Sequence, residues 1–132
     1  MRMFAAGWPV AGELELWVLL ALMRLGNGAF GAAIHREIAA RTGRDLPASS
    51  VYVTLDRLEG KRMVVSYTGN PTGERGGRRR KHYLLDTAGQ RAIVRAWRTF
   101  GSMTAGIQPE LEALSAQLLP GSAINVPARQ RW

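Results

Sequence analysis

A mainly α-helical fold with one small β-hairpin follows from three features of this 132-residue sequence. Apolar residues recur at helical spacing along most of the chain, two short β-rich runs flank a glycine-rich connector, and the positive excess is confined to one region. Residues 1–60 hold six cations and six anions, 61–98 hold ten and two, and 99–132 hold two and two, so the net charge of +8 arises in the middle segment. A helix followed by a basic hairpin can straddle a nucleic-acid backbone.

The first helix is expected from Glu13 to Leu25. Leu14, Trp17, Val18, Ala21, Leu22 and Leu25 follow the spacing of one helix face, and Leu16, Leu19, Leu20 and Met23 that of another. A helix apolar on two faces needs cover on both, one from its own core and the other from a second subunit. Gly26, Asn27 and Gly28 end it. A second helix spans Gly31 to Thr42, with Phe30, Ile34 and Ile38 inward, His35, Arg36 and Arg41 outward, and Gly43 as its left-handed terminator.

Pro47 and Ser49 open a third helix, proline at a first-turn position and serine as a cap. Val51, Leu55 and Leu58 form its buried stripe. Ser50, Thr54, Arg57 and Lys61 recur on a different face and combine the hydroxyls and cations that bond to base edges and phosphates. An ordinary solvated face is the plainer reading for a helix taken alone. The runs Val64 to Thr68 and Arg80 to Leu85 read as strands, joined through Gly69, Asn70, Pro71, Gly73, Gly76 and Gly77. Thr87 and Gln90 have capping-box spacing and start a long helix through Ile93, Trp97, Phe100, Thr104 and Ile107, which Gly106 and Pro109 end. A short amphipathic piece follows on Leu111, Leu114 and Leu118.

Several function classes are disfavoured. With no cysteine there is no disulfide framework, thiolate metal site or thiol nucleophile. His35 and His82 are far apart and lack clustered carboxylates, so neither a metal nor a cofactor is expected. Ser49 and Ser50 have no evident partner base and no phosphate-binding Gly-Lys loop occurs, which argues against an enzyme. The apolar run Leu14 to Leu22 is too short for a membrane span, and Met1 to Val10 makes a poor secretory signal, so a cytoplasmic location is expected.

Three helices, a basic two-stranded wing and a long C-terminal helix make a winged helix-turn-helix. Four pieces, in this order and spacing, carry a family likeness: Leu19-Leu20-Ala21-Leu22 followed by Gly31; Ser49-Ser50-Val51-Tyr52-Val53-Thr54-Leu55-Asp56-Arg57-Leu58-Glu59; the wing from Pro71-Thr72-Gly73-Glu74 to His82-Tyr83; and Thr87-Ala88-Gly89-Gln90. From Gly12 to Phe100 the chain resembles the PadR family of bacterial transcriptional regulators. The resemblance implies a homodimer bound to palindromic double-stranded operator DNA, with the third helix in the major groove, the wing on the backbone, and the C-terminal helix packed on the partner's first helix. It also implies a repressor role, and a small aromatic or hydrophobic effector at the dimer interface. Arg62 stands where relatives usually carry glycine, so that either the third helix ends sooner or Arg62 takes a left-handed conformation, and Asp86 stands where an apolar residue is usual, which makes it a second candidate, beside Thr87, for the cap of the next helix.

The expected organisation is a winged DNA-binding domain at 12–86, a dimerisation helix with a short extension at 87–119, and flexible termini at 1–11 and 120–132. Base-reading candidates are Ser49, Ser50, Thr54 and Arg57. Backbone-binding candidates are Tyr52, Lys61, Arg75, Arg78, Arg79, Arg80 and Lys81, since a cation that meets phosphate releases counterions. Trp17, Leu20, Ile93, Trp97 and Phe100 are candidates for the dimer or effector contact. Trp8 could join the same apolar region. An RNA-binding accessory protein is the alternative, disfavoured because the tryptophans lie outside the basic segment. A protein-interaction module without DNA binding is the other.

Overall fold

The computed structural model of the protein describes residues 12–69 and 80–119. In chain order the elements are α1 (Glu13–Leu25), β1 (Ala29–Phe30), α2 (Gly31–Thr42), α3 (Ala48–Gly60), β2 (Val64–Thr68), β3 (Lys81–Leu85), α4 (Thr87–Thr104) and α5 (Gln108–Leu118). The chain divides between Ala96 and Trp97 into two compact units.

In the first unit, α1, α2 and α3 enclose one core. Val18, Leu19 and Leu22 from α1 meet Ile34 and Ile38 from α2 and Val51, Leu55 and Leu58 from α3, with Met63, Val64 and Tyr83 closing the sheet side. Thus the first apolar stripe of α1 is largely buried, with Leu19 of the second stripe, while Leu20 and Met23 remain exposed. Gly43 takes the left-handed conformation expected of it, at φ 70°, and its N–H bonds Ala39 O.

The sheet has the order β1-β3-β2 and is antiparallel throughout. Val64 pairs with Leu85, Ser66 with Tyr83 and Thr68 with Lys81. The two-residue strand β1 was not expected from sequence; it pairs Ala29 with Tyr83 and Phe30 with His82, tying the wing to the α1–α2 loop. Phe30 is correspondingly half-buried in this strand instead of pointing into the core with Ile34 and Ile38.

Three helix ends differ from expectation. α3 has Pro47 at its N-cap and no side-chain cap, so Ser49 lies inside the first turn and does not cap it. Asp86, and not Thr87, precedes α4: its carbonyl accepts the Gln90 N–H at 3.0 Å and its Oδ1 accepts the Thr87 N–H at 2.8 Å. α4 stops at Thr104, before Ile107, where Gly106 turns at φ 84°; Pro109 then lies in the first turn of α5. Arg62 does adopt the left-handed region, at φ 60°.

At the start of α4, Ala92 is buried and Ile93 packs against the core of the first unit. In the second unit, Trp97, Phe100 and Met103 are exposed, at 63%, 71% and 75%. Trp97, Phe100, Gly101, Thr104 and Leu111 line a cleft of 620 Å³ there. Among the described residues no helix is long and apolar enough to cross a membrane, and no group of three or more His, Asp or Glu could hold a metal ion. The expected flexible termini lie outside the described residues.

Candidate nucleic-acid interface

The buried stripe of α3 determines which side chains it can present. Val51, Thr54, Leu55 and Leu58 are buried, so the outward surface carries Ser49, Tyr52, Val53, Asp56 and Arg57, with Ser50 half-buried at its edge. Thr54 is a correction: it is 3% exposed and its hydroxyl donates to Ser50 O at 2.7 Å, so it faces the core and not a ligand. Val53, at 51% exposed, occupies the outward surface that Thr54 was expected to share. Its methyl groups are suited to apolar contact with a thymine methyl.

Tyr52 is partly exposed, and its ring lies against the backbone of Gly31. A Cβ at Gly31 would overlap that ring, so glycine permits the close approach of α2 to α3.

The expected backbone-binding cations fall into three groups. Arg75, Arg78 and Arg79 lie outside the described residues. Lys61 and Lys81 are already paired with carboxylates: Lys61 Nζ donates to both oxygens of Glu15 at 3.0 and 2.8 Å, and Lys81 Nζ lies 3.2 Å from Glu59 Oε1. Arg80 is exposed, with its guanidinium 4.3 Å from the centre of the Phe30 ring. The pairing of Lys61 was missed because Glu15 is 46 residues away, on α1.

Glu59 links α3 to both wing strands. Its Oε2 accepts the Ser66 hydroxyl at 2.5 Å while Oε1 pairs with Lys81. The Ser66 hydrogen bond, with the bond and charge of Lys81, outweighs burial and holds the Glu59 carboxyl below the ordinary range. The same bond to Glu59 raises the Lys81 ammonium against the opposing effect of burial. Burial pushes the Tyr83 phenol up.

His82 ties the wing strands to the α1–α2 loop. Its ring stacks on Tyr67 with centroids 5.1 Å apart, and Nδ1–H donates to Gly28 O at 2.6 Å. The Gly28 N–H in turn bonds Tyr83 O at 2.9 Å. His35 is a structural ligand of the α2–α3 loop through a 2.6 Å hydrogen bond to Leu46 O.

Away from α3, Trp17, Leu20, Met23 and Ile38 line a cleft of 440 Å³ between α1 and α2. Glu37 Oε2 accepts hydrogen bonds from Arg24 and Arg41, each at 3.1 Å, at its rim. Arg44 lies 5.1 Å from the Trp17 ring. Trp17 and Leu20 thus share one surface, whereas Ile93 packs inward.

The model described as the transcriptional regulator PadR-like family matches residues 19–95. A PadR family transcription regulator from Clostridium difficile is 25% identical; the match covers 70% of this chain and 95% of that one, with a TM-score of 0.57. A PadR family regulator from Eggerthella lenta is 26% identical over 72% of this chain and 80% of that one, with a TM-score of 0.56. A winged-helix DNA-binding protein from STIV shares the fold at 16% identity, with a TM-score of 0.55 over 80% of this chain and 96% of that one. No curated protein matches the chain.

Proposed function

The chain belongs to the PadR-like family of transcriptional regulators, and from that premise we propose that it is a homodimeric repressor of palindromic operator DNA. The observation that carries this reading is the outward face of α3, where Ser49, Tyr52, Val53 and Arg57 stand free of the core beside a wing that presents Arg80. Hydroxyl, methyl and guanidinium groups read base edges in the major groove. A basic wing supplies the sequence-independent attraction to phosphate.

The exposed Trp97, Phe100 and Met103 support dimerisation, since a row of large apolar side chains is stabilised by a partner surface. Trp17 and Leu20 on α1 offer such a surface on the second subunit. The apolar clefts beside Trp97 and beside Trp17 support an aromatic or hydrophobic small molecule as the effector that relieves repression.

Selection of bound fragments from a random duplex library, at two salt concentrations, tests this function. A two-fold symmetric consensus with half-sites about one helical turn apart is the expected result. Binding without sequence preference would remove the operator-reading role. A reporter carrying the consensus, repressed by the protein and released by an aromatic compound, tests the sign and the effector.

A further inference from the structure

Phe30 collects two arginines from different elements. Arg80, just before β3, lies with its guanidinium carbon 4.3 Å from the ring centre, and Arg36 on α2 lies at 6.0 Å. Both line a cleft of 430 Å³ whose walls also include Tyr52 of α3 and Lys81 and Tyr83 of β3. A ring face attracts a guanidinium without neutralising it.

Charge pairing separates these two arginines from five other cations of the unit. Arg24 and Arg41 share Glu37, Arg44 pairs with Glu13, Lys61 with Glu15 and Lys81 with Glu59. Neither Arg36 nor Arg80 has a carboxylate partner among the described residues. Among the described residues the cleft therefore holds two positive charges without a carboxylate partner, with the Lys81 charge answered by Glu59 beside them.

We infer that this cleft seats one backbone phosphodiester of the operator, held between Arg36 and Arg80, with Phe30 positioning both guanidiniums. The inference rests on the DNA-binding role proposed above and adds to it a contact from α2. A nucleic-acid strand passing from α3 to the hairpin crosses the space between them, and the cleft occupies that space. Its two planar cations match the charge and hydrogen-bonding needs of a phosphate.

The test uses the full chain and a duplex carrying its selected consensus. Arg36→Ala is expected to lower the slope of log affinity against log salt by about 0.9, the loss of one phosphate contact, and to weaken unrelated duplexes equally. Arg41→Ala, which removes a cation already paired with Glu37, is expected to leave the slope unchanged. A methylphosphonate scan then locates the contact: neutralising one phosphate should weaken the wild type more than it weakens Arg36→Ala, in which only Arg80 still holds that phosphate. Arg36→Ala with the wild-type slope and an unaltered scan would overturn the clamp while leaving the operator-binding role intact. Absence of duplex binding by the wild type would overturn that role, and the clamp with it.

Discussion

Glu15 and Lys61 form a two-point ion pair that joins the first turn of α1 to the end of α3. The Gly12 N–H adds a third bond to Glu15 at 2.9 Å, and the side chain of Glu15 is only 10% exposed. Burial alone would raise this carboxyl, but the bonds from Lys61 and Gly12 and the charges of Lys61 and Arg57 together hold it below the ordinary value.

Glu15→Ala should therefore destabilise the protein by about 2 kcal/mol at neutral pH, because it leaves the Lys61 ammonium without its partner. A carboxyl with a depressed folded pKa contributes fully above the unfolded value of about 4.3 and loses that contribution as pH falls through the folded value. Urea denaturation from neutral pH into acid should show the gap between wild type and variant closing below about pH 4. A gap that widens in acid would contradict this account.

Gly89 lies so close to the Met63 carbonyl that an added Cβ would overlap the oxygen and crowd Leu19. Backbone cannot swing aside as an exposed side chain can. Gly89→Ala should cost about 1–3 kcal/mol through overpacking and lower Tm by several degrees. An unchanged Tm would show that α4 shifts freely.

Arg62 holds φ at 60°, where a side chain costs about 1–2 kcal/mol relative to the right-handed conformation. Glycine relieves that strain but enlarges the unfolded ensemble at a cost of about 0.4–1 kcal/mol. Arg62→Gly should give a net stabilisation of about 0.5–1 kcal/mol, read as a higher urea midpoint with the same m-value.

Thr54→Ala should reduce stability by about 1 kcal/mol and leave the selected operator unchanged, since its hydroxyl bonds Ser50 O inside the fold. Arg57→Ala should instead alter preference at particular mirror-related positions, by about 1–3 kcal/mol for a lost bidentate base contact, and Val53→Ala should weaken a preference for thymine by removing a methyl contact. Library selection with each variant separates the two behaviours.

Trp97→Arg should weaken self-association, because a charge would replace an aromatic side chain in the proposed subunit contact. Sedimentation at micromolar protein checks this directly. A dimer mass unchanged down to the dilution limit would exclude Trp97 from the interface.

The helices and β2 were legible because their apolar spacing is long and their ends carry glycine or proline. α1, α2 and β2 have the expected bounds. β1 was not legible, since two residues are too few to show alternation and their pairing with β3 crosses more than 50 positions. Thr54 was misplaced for a different reason. It stands three residues after Val51 and four before Leu58, within the core spacing, and its polar side chain concealed that position. Arg36 was read as an ordinary outward cation because the neighbour that gathers it with Arg80 depends on where β1 places Phe30.

The wing is fastened at both ends by backbone bonds. The Asp86 N–H bonds Met63 O at 3.0 Å at its root, and the Gly69 N–H bonds Arg80 O at 2.8 Å at the far end of the paired strands. The frame that positions α3 and α4 is thus complete before the connector begins. Added length between those outer bonds changes loop-closure entropy only slowly, by about 0.6 kcal/mol for each doubling. Residues inserted there would leave the register of β2 on β3 untouched.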